Sequence, residues 1–371
     1  MSLLRSLLRL PLEEEGSEAL ASLAPPIRES PAEEWTDAIE TLRLHELLPY
    51  AGYALRAHGI ENDAPTAARE LLAAAYFESL LQNLRVVEVL KELLGELARR
   101  GVDPILWKGV VLATGFYPDP GARPMADLDL WIEATELGAT TEVLEAAGLV
   151  PRPDLLAADA VCFEHSCGVL LDVHHRVRLF EGHEPATIAT RMSLARAGLD
   201  AVRVLTPDAM LAHLVVHLNG HRKKTGPLLR WVLDFAPVAR RWGDELDLDR
   251  TTALLPSPLD LALLLRLIGF LDRELAQPPP PAFAELAKRF PPLTLPEVLR
   301  QRRLAQWGLP GPQGWARLAL SRLGLRSRGG RSYPHPGDFR HAPGDSLRRW
   351  RTGLQCARGR GFSTAITPAH R

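Results

Sequence analysis

The sequence predicts an α+β protein in which a small mixed β-sheet is flanked by an N-terminal and a C-terminal helical region. The first 100 residues are rich in Ala, Leu, Glu and Arg with few strand formers, and helical spacing returns from about residue 205. Between these regions, short apolar runs bounded by turn residues indicate at least four strands. We therefore divide the chain into a helical region (1–100), a sheet-containing core (101–200), a second helical region (201–320) and a basic tail (321–371).

A long amphipathic helix is predicted over residues 66–100. Apolar residues recur there at steps of three and four, and charged residues occupy the other face. Arg99 and Arg100 precede Gly101, which is the pattern of basic residues in a last helical turn with glycine just beyond it. The helix is therefore expected to end at Gly101.

The core alternates short strands and helices. Its predicted elements are, in order, a strand at 104–107, a helical run at 110–117, a strand at 127–132, a helix at 135–148 and strands at 160–165 and 169–177. The last two strands are separated by a short loop containing glycine, so they are expected to form a hairpin.

The C-terminal helical region begins with Pro207 and Asp208, residues typical of a helix start. We expect Asn219 and Gly220 to end this helix. Residues 278–281 are consecutive prolines and predict a stiff connection. Beyond about residue 325 the chain has few core-forming residues, so a loosely ordered tail is expected.

The charge of the chain is balanced as a whole but uneven along its length. The 44 Lys and Arg residues against 45 Asp and Glu give a net charge of −1, which argues against a protein built to bind nucleic acid or anionic membrane through a global basic excess. Residues 321–371, however, contain eleven Arg and no Lys against two Asp. We expect this basic tail either to be solvated or to contact an acidic partner or nucleic acid.

The expected location is the cytoplasm, without contact with a membrane. The three cysteines, Cys162, Cys167 and Cys356, contain no C-x-x-C pair, so neither a disulfide framework nor a thiolate zinc site is indicated. The first residues are too charged for a signal sequence, and no apolar run reaches the ~20 residues that span a bilayer.

Two carboxylates on one predicted strand are the first candidate for chemistry. Asp127 and Asp129 are two residues apart, so both side chains project from the same face, while Leu128 and Leu130 face the core. Two like charges so close are costly unless a cation lies between them, and Mg²⁺ prefers oxygen ligands. An isolated Asp-x-Asp also occurs on solvated turns and strand edges, so the pair alone leaves both possibilities open.

The surrounding sequence contains further groups suited to phosphate and metal. Lys108 and Gly109 follow a strand and precede a helical run, where glycine permits close approach of the backbone to a phosphate. Arg123 offers bidentate contacts to phosphate oxygens. Asp172 lies on a hairpin strand that could pair antiparallel with the strand of the first two carboxylates. His174 projects from the same face of its strand as Asp172, where it could contact a nucleotide or support the site. Such a set suits two-metal phosphoryl transfer.

These residues belong to a longer ordered pattern. It comprises Leu-Trp-Lys-Gly at 106–109, Tyr117, Arg123, Asp-Leu-Asp-Leu at 127–130, Leu-Asp-Val-His at 171–174, Ala-His-Leu-Val-Val-His at 212–217, Arg230-Trp231 and Asp234. Over roughly residues 70–240 the pattern resembles the uncharacterised nucleotidyltransferase family of the DNA polymerase beta-like nucleotidyltransferase superfamily. The resemblance implies a nucleotidyltransferase core made of a small mixed sheet with helices on one side.

The resemblance also implies roles for individual residues. Asp127 and Asp129 correspond to the paired carboxylates that bind metal, Mg²⁺ or Mn²⁺, and Asp172 corresponds to the general base or shared metal ligand. Lys108 and Gly109 stand where the superfamily commonly has a Gly-Ser pair at the phosphate, which is a departure from its pattern.

The implied reaction is transfer of a nucleoside monophosphate from a nucleoside triphosphate, with ATP expected, to an acceptor hydroxyl or similar group, with release of pyrophosphate. The acceptor stays open among a small molecule, a peptide and RNA. The alternative is a protein of the same fold that binds a nucleotide or partner without chemistry.

Three histidines recur every fourth residue in the second helical region. His213, His217 and His221 would lie near one face of an uninterrupted helix and could form a transition-metal site. The other interpretation is that they are packed or hydrogen-bonded side chains that support the sheet.

Two further sets have a chemical and a structural interpretation. Cys162 with His165 and Glu164 could form a nucleophilic site, whereas a strand cysteine is commonly a small buried apolar residue. Arg230 and Asp234 are one helical turn apart, a spacing typical of a structural ion pair.

Overall fold

A computed structural model describes residues 2–12, 18–155 and 159–306 of the chain. Within these residues, seven strands form one mixed sheet: β1 (Ile105–Leu106), β2 (Asp127–Trp131), β3 (Val150–Pro151), β4 (Ala160–Glu164), β5 (Leu170–His174), β6 (Ala189–Leu194) and β7 (Leu199–Leu205). Their order across the sheet is β3-β4-β5-β2-β1-β7-β6. The strands β5, β2 and β1 are therefore at its centre.

Helices account for most of the remaining described residues. They are α1 (Leu3–Arg9), α2 (Glu18–Glu29), α3 (Ala32–Leu44), α4 (Leu48–Ala57), α5 (Thr66–Arg99), α6 (Gly109–Val111), α7 (Leu137–Ala146), α8 (Pro185–Ile188), α9 (Pro207–Lys224), α10 (Leu229–Leu233), α11 (Phe235–Trp242), α12 (Leu248–Leu254), α13 (Pro258–Leu275), α14 (Pro281–Ala287) and α15 (Leu295–Gln306). The α+β fold class is confirmed.

Local sequence signals predicted several of these elements. Helix α5 ends at Arg99, and Gly101 adopts φ +75°, a left-handed conformation that glycine reaches without steric cost. Strands β4 and β5 form the expected antiparallel hairpin. Helix α9 begins at Pro207, where the Thr206 side chain accepts a hydrogen bond from the Ala209 N–H.

Two predictions about strand pairing and helix ends are wrong. Strand β5 pairs with β2 in parallel and with β4 antiparallel. The connection from β2 to β5 contains α7, so it is long enough for the crossover that a parallel pair needs. Helix α9 continues through Asn219 and Gly220, and the Asn219 amide donates to Asp260 of α13 over 2.6 Å. A buried side-chain hydrogen bond gives this asparagine a tertiary partner, which outweighs its weak preference for ending a helix.

One hydrophobic core runs from the N-terminal helices through the sheet to the C-terminal helices. Its fully buried members include Leu7 of α1, Leu90 of α5, Leu130 of β2, Val215 of α9 and Phe270 of α13. The fourfold division of the chain stays a prediction, and the basic tail (321–371) lies outside the described residues. In the described part of the chain, no helix combines the length and apolar character needed to cross a membrane.

A buried histidine links the N-terminal helices to α10. His45 is fully buried after α3, and its Nδ1 accepts a hydrogen bond from the Leu229 N–H over 3.0 Å. Burial, with a further contribution from the charges of Arg302 and Arg303, lowers the pKa of His45 to about 3. The folded protein therefore keeps this imidazole neutral over a pH range in which an unfolded chain would protonate it.

Acid should destabilise the fold through His45. The imidazole is neutral in both states at pH 7, and below about pH 6.5 only the unfolded chain binds the proton. The free energy of unfolding should therefore fall by about 2 kcal/mol between pH 7 and pH 5 from this residue alone. In His45→Gln the amide oxygen can still accept from the Leu229 N–H. The free energy of unfolding of this variant, measured with urea, should therefore fall by about 2 kcal/mol less than that of the wild type between pH 7 and pH 5. His183→Gln, an exposed control, should follow the wild type; equal slopes for all three proteins would contradict the prediction.

Candidate active site

Two neighbouring strands at the centre of the sheet bring polar side chains onto one face. In the parallel pairing of β2 and β5, Asp129 lies directly opposite Asp172. His174 follows two residues after Asp172 and projects from the same face. The alternate residues, such as Leu128 and Leu171, are fully buried on the opposite face. The strand period of two therefore separates a polar face from the core, as the sequence predicts.

Asp129 is the centre of this polar face. Its Oδ1 accepts hydrogen bonds from Lys108 Nζ at 2.5 Å and from His174 Nε2 at 2.9 Å. Lys108 Nζ also lies 3.4 Å from His174 Nε2. Only 2% of the Asp129 side chain is exposed, against 25% for Lys108 and 17% for His174. The carboxylate is thus held at the base of the site, beneath two groups that solvent reaches.

The two carboxylates of β2 have pKa values shifted in opposite directions. Burial, followed by repulsion from Asp129 and Asp172, raises the pKa of Asp127 to about 7. Burial also acts to raise the pKa of Asp129, but the Lys108 ammonium and the His174 hydrogen bond hold it below its usual range. Burial acts to lower the pKa of Lys108, and the facing carboxylates raise it above its ordinary value. The site therefore favours additional positive charge near Asp127.

A divalent cation fits the side chains of this face. Ligand atoms of Asp129, Asp172 and His174 all lie within 4.8 Å of one another. Carboxylate oxygens suit Mg²⁺ and Mn²⁺, and an imidazole nitrogen is a common additional ligand of transition ions. The sequence predicts Asp127 in this group, and the structure brings His174 into it. Asp127 lies two residue pairs before Asp129 in β2, opposite Leu170; metal binding by Asp127 stays a prediction.

Lys108 reaches Asp129 from a strained turn. It follows β1 and precedes α6, with φ +53° and ψ −125°, a backbone conformation that favours glycine. Its Nζ also lies 4.6 Å from the centre of the Trp107 ring, within range of a cation–π contact. The strained turn is therefore the local structure that directs this ammonium to the carboxylates.

Arg123 has partners of its own beneath the site. Its Nε and Nη2 donate to the two carboxylate oxygens of Asp234 at 2.7 and 2.9 Å, and its Nη1 donates to the Gly109 carbonyl at 3.4 Å. A Cβ added to Gly109 would lie 3.4 Å from Arg123 Nη1 and from Met125 Cγ. Nucleotide binding by Arg123 and Gly109 stays a prediction, while the structure places these two residues against each other in the interior.

Buried polar contacts fix the loop that leads into β2. Asn83 of α5 donates to the carbonyls of Pro120 and Arg123 at 2.6 and 2.8 Å and accepts from the Met125 N–H at 3.2 Å. Tyr117 donates to Asp234 over 2.8 Å, so this aspartate accepts from both Tyr117 and Arg123. Sequence reasoning missed Asn83, because a single asparagine inside a helical pattern gives no sign of a partner about 40 residues away.

A row of aromatic and histidine rings continues from the polar face. Ring centroids are separated by 4.9 Å for Trp107 and His174, 4.7 Å for Trp107 and His213, and 5.1 Å for His217 and Trp231. Burial, then the Lys108 charge, lowers the pKa of His213 to about 3, and the pKa of His217 is also well below its usual value. These imidazoles are therefore neutral packed rings at neutral pH.

The other candidates of the sequence have structural partners. Within the described residues, the three histidines of α9 do not form a metal group, and the candidate group is that of β2 and β5. His165 Nδ1 contacts Cys167 Sγ at 2.8 Å, while Cys162 is buried. Arg230 donates to the Pro124 carbonyl at 2.6 Å and pairs with Glu46 at 2.8 Å, so the predicted pair with Asp234 is replaced by other contacts.

Comparison with known proteins identifies the family. The model of the uncharacterised nucleotidyltransferase family matches residues 31–268, which include the sheet, α5 and α9. The chain belongs to this family. It is a nucleotidyltransferase, and the family expected from the residue pattern is confirmed over a longer span than the resemblance covered.

Two solved structures are similar to this nucleotidyltransferase. The antibiotic-resistance factor ANT(2'')-Ia is 13% identical, with a TM-score of 0.35, over 46% of this chain and 89% of that chain. An antigenic nucleotidyltransferase-like protein from Paracoccidioides brasiliensis is 19% identical, with a TM-score of 0.37, over 54% of this chain and 94% of that chain. No curated protein matches the chain.

Proposed function

We propose that the protein transfers a nucleoside monophosphate from a nucleoside triphosphate, with ATP as the expected donor, to an acceptor hydroxyl, using Asp127, Asp129 and Asp172. The observation that carries the proposal is the register of β2 and β5, which pairs Asp129 with Asp172 and adds His174 to the same face. Carboxylates that converge in this way suit phosphoryl chemistry with a bound divalent ion.

The residues of this chain would act in distinct ways. Asp129 and Asp172, with Asp127 or His174, would hold Mg²⁺ or Mn²⁺. A bound divalent ion would neutralise the triphosphate and lower the pKa of the acceptor hydroxyl. Lys108 would contact a phosphate placed above Asp129, because its Nζ lies 2.5 Å from Asp129 Oδ1 and a quarter of its side chain is exposed.

The proposed transfer exchanges one bond to phosphorus for another. The acceptor oxygen forms a bond to the α-phosphorus while the bond to pyrophosphate breaks, and the acceptor proton passes to a carboxylate, for which Asp172 is the candidate. Such a transfer depends mainly on positioning and on charge stabilisation. The buried contacts of Arg123 and Asn83 fix the loop before β2 and therefore position Asp127 and Asp129.

The test is incubation of the full chain with each α-³²P-labelled nucleoside triphosphate and Mg²⁺ or Mn²⁺. Small-molecule, peptide and RNA fractions are supplied in separate reactions, and one reaction contains the protein alone. We expect stable label in one acceptor fraction together with pyrophosphate release, with ATP as the best donor. Absence of both products with every donor and metal would overturn the proposal.

The alternative is a nucleotide-binding protein of the same fold that performs no transfer. It predicts label that is retained on the folded protein and released by denaturation. Transferred label would instead be found in a new covalent product. Chromatography of the labelled species after urea treatment therefore separates the two functions, because a binding protein releases unchanged triphosphate whereas a transferase yields a labelled acceptor of any size.

A further inference from the structure

Lys108 lies where a divalent cation would meet its ligands. Its Nζ is 2.5 Å from Asp129 Oδ1 and 3.4 Å from His174 Nε2. Asp129 and His174 are two of the three residues whose ligand atoms converge within 4.8 Å. An ammonium and a divalent ion cannot both occupy the shortest approach to the same oxygen, so the two cations would compete for it.

The carboxylates of the site outnumber the ammonium that faces them, so a divalent ion could replace this ammonium. Three carboxylates, Asp127, Asp129 and Asp172, act on the single ammonium of Lys108. One lysine offsets one carboxylate, so the group retains a negative charge that a divalent ion could offset. Lys108 is only partly covered by other residues, since 25% of its side chain is exposed. The ammonium can therefore leave Asp129 without unfolding the core.

The backbone at Lys108 is strained for a residue that carries a side chain. With φ +53° and ψ −125°, the residue adopts a conformation in which glycine would be unstrained, whereas a side chain there conflicts sterically with the backbone. A simple structural turn would favour glycine at this position. Strain of this kind is commonly found at functional sites, and here it is coupled to an ammonium aimed at the carboxylates.

We propose that Lys108 is an internal cation that occupies the divalent-ion position at Asp129 in the free protein and moves to the triphosphate when metal and nucleotide bind together. The proposal rests on the proposed function for its second half. In consequence, the metal should bind weakly by itself and tightly with the nucleotide, because the triphosphate offers the displaced ammonium a new anionic partner.

The experiment measures Mn²⁺ binding to the full chain by calorimetry without nucleotide. Lys108→Met keeps most of the apolar stem over Trp107 and removes the charge, and Lys108→Gly also relieves the backbone strain. Both variants should bind Mn²⁺ roughly tenfold more tightly than the wild type, because a competing like charge has been removed. Lys288→Met is the matched control, since Lys288 is exposed and pairs with Glu285; its Mn²⁺ affinity should equal that of the wild type.

A second titration uses a non-hydrolysable ATP analogue with Mn²⁺ held at saturation. Here the same two variants should bind the analogue roughly tenfold more weakly, since the displaced ammonium is missing from the triphosphate site. The two variants should therefore bind Mn²⁺ alone more tightly than the wild type and bind the analogue more weakly.

Mn²⁺ affinity that is unchanged or weaker in both variants would overturn the competition between Lys108 and the metal. Analogue affinity that is unchanged would overturn the move to the triphosphate. The titration with metal alone involves no nucleotide, so its result is independent of nucleotidyl transfer. Tighter Mn²⁺ binding in a protein that transfers no label would overturn the proposed function while leaving the competition intact.

Discussion

Asp129→Asn should reduce nucleotidyl transfer by about 1,000-fold or more while leaving the protein folded. The substitution keeps the shape of the side chain and removes its charge. Asp129 Oδ1 contacts both Lys108 and His174, so it is the oxygen on which the two hydrogen-bond donors of the site converge. Metal-ion stabilisation of a phosphoryl transition state is worth several kcal/mol, and each 1.36 kcal/mol is a factor of ten in rate.

The fold should tolerate this change because the neighbouring residues of β2 provide the packing. Leu128 and Leu130 are fully buried on the opposite face of the strand and are untouched by the substitution. Removing one of three neighbouring carboxylates also relieves repulsion on Asp127, which offsets part of the lost contact with Lys108. Urea unfolding should therefore show a change much smaller than the loss of activity would suggest.

Release of pyrophosphate and transfer of α-³²P label are the measurements. The matched control is Asp200→Asn, the same substitution at an exposed position of β7 in the same sheet, where Asp200 contacts Ser193 at 3.0 Å. Its activity should equal that of the wild type. If Asp129→Asn retained turnover within tenfold of the wild type, Asp129 could not be a metal-binding carboxylate of the reaction.

Short-range patterns were sufficient to predict the two faces of β2. The alternation of Asp127, Leu128, Asp129 and Leu130 determines which side chains face the core, and the structure buries both leucines completely. The same reasoning placed Asp172 and His174 on one face of β5. Local periodicity is reliable here because each residue's direction follows from its own strand and needs no knowledge of the partner strand.

The sequence did not predict which strands become neighbours. The parallel pairing of Asp129 with Asp172 joins residues 43 positions apart, and strand direction is not encoded in either segment alone. Strands β6 and β7 were missed because their exposed residues, such as Arg191 and Asp200, break the apolar alternation. The apolar residues spaced by three and four in α5 include Leu84, which helical periodicity alone assigns to the buried face, although 43% of it is exposed.

For Arg123, the sequence predicts the chemistry of the side chain but not the partner that it contacts. Its capacity for bidentate contact with an anion follows from the guanidinium itself, and the structure uses that capacity. The anion is Asp234, 111 residues away, in the segment between α10 and α11. In the folded protein the guanidinium pairs with a carboxylate of the chain. The sequence alone does not distinguish this internal partner from a bound phosphate.

Arg123→Met should destabilise the protein by about 3–5 kcal/mol, because it leaves the Asp234 carboxylate buried without its main counter-charge. Only 7% of the Arg123 side chain and 1% of the Asp234 side chain are exposed, so solvent cannot replace the missing partner. The Tyr117 hydroxyl, which also donates to Asp234, cannot neutralise the charge. Urea unfolding of the purified variant measures the loss.

Two further variants make this prediction specific to burial. Arg28 pairs with Asp63 in the same bidentate manner, at 3.2 and 3.0 Å, but on the surface. Arg28→Met should therefore change the free energy of unfolding very little. Replacing both buried partners, as Arg123→Met with Asp234→Leu, should cost less than the two single substitutions added together, because no unpaired charge remains.

The same variants separate the two roles considered for Arg123. If Arg123 positions the loop before β2, its substitution acts by destabilising that loop. Arg123→Met and Asp234→Leu should then impair transfer to a similar extent, chiefly by lowering kcat. A residue that binds phosphate would instead raise the KM for the triphosphate on substitution, and Asp234→Leu would not reproduce that rise. Stability within about 1 kcal/mol of the wild type together with a raised KM in Arg123→Met alone would contradict the structural role, because a phosphate-binding arginine leaves no buried carboxylate behind.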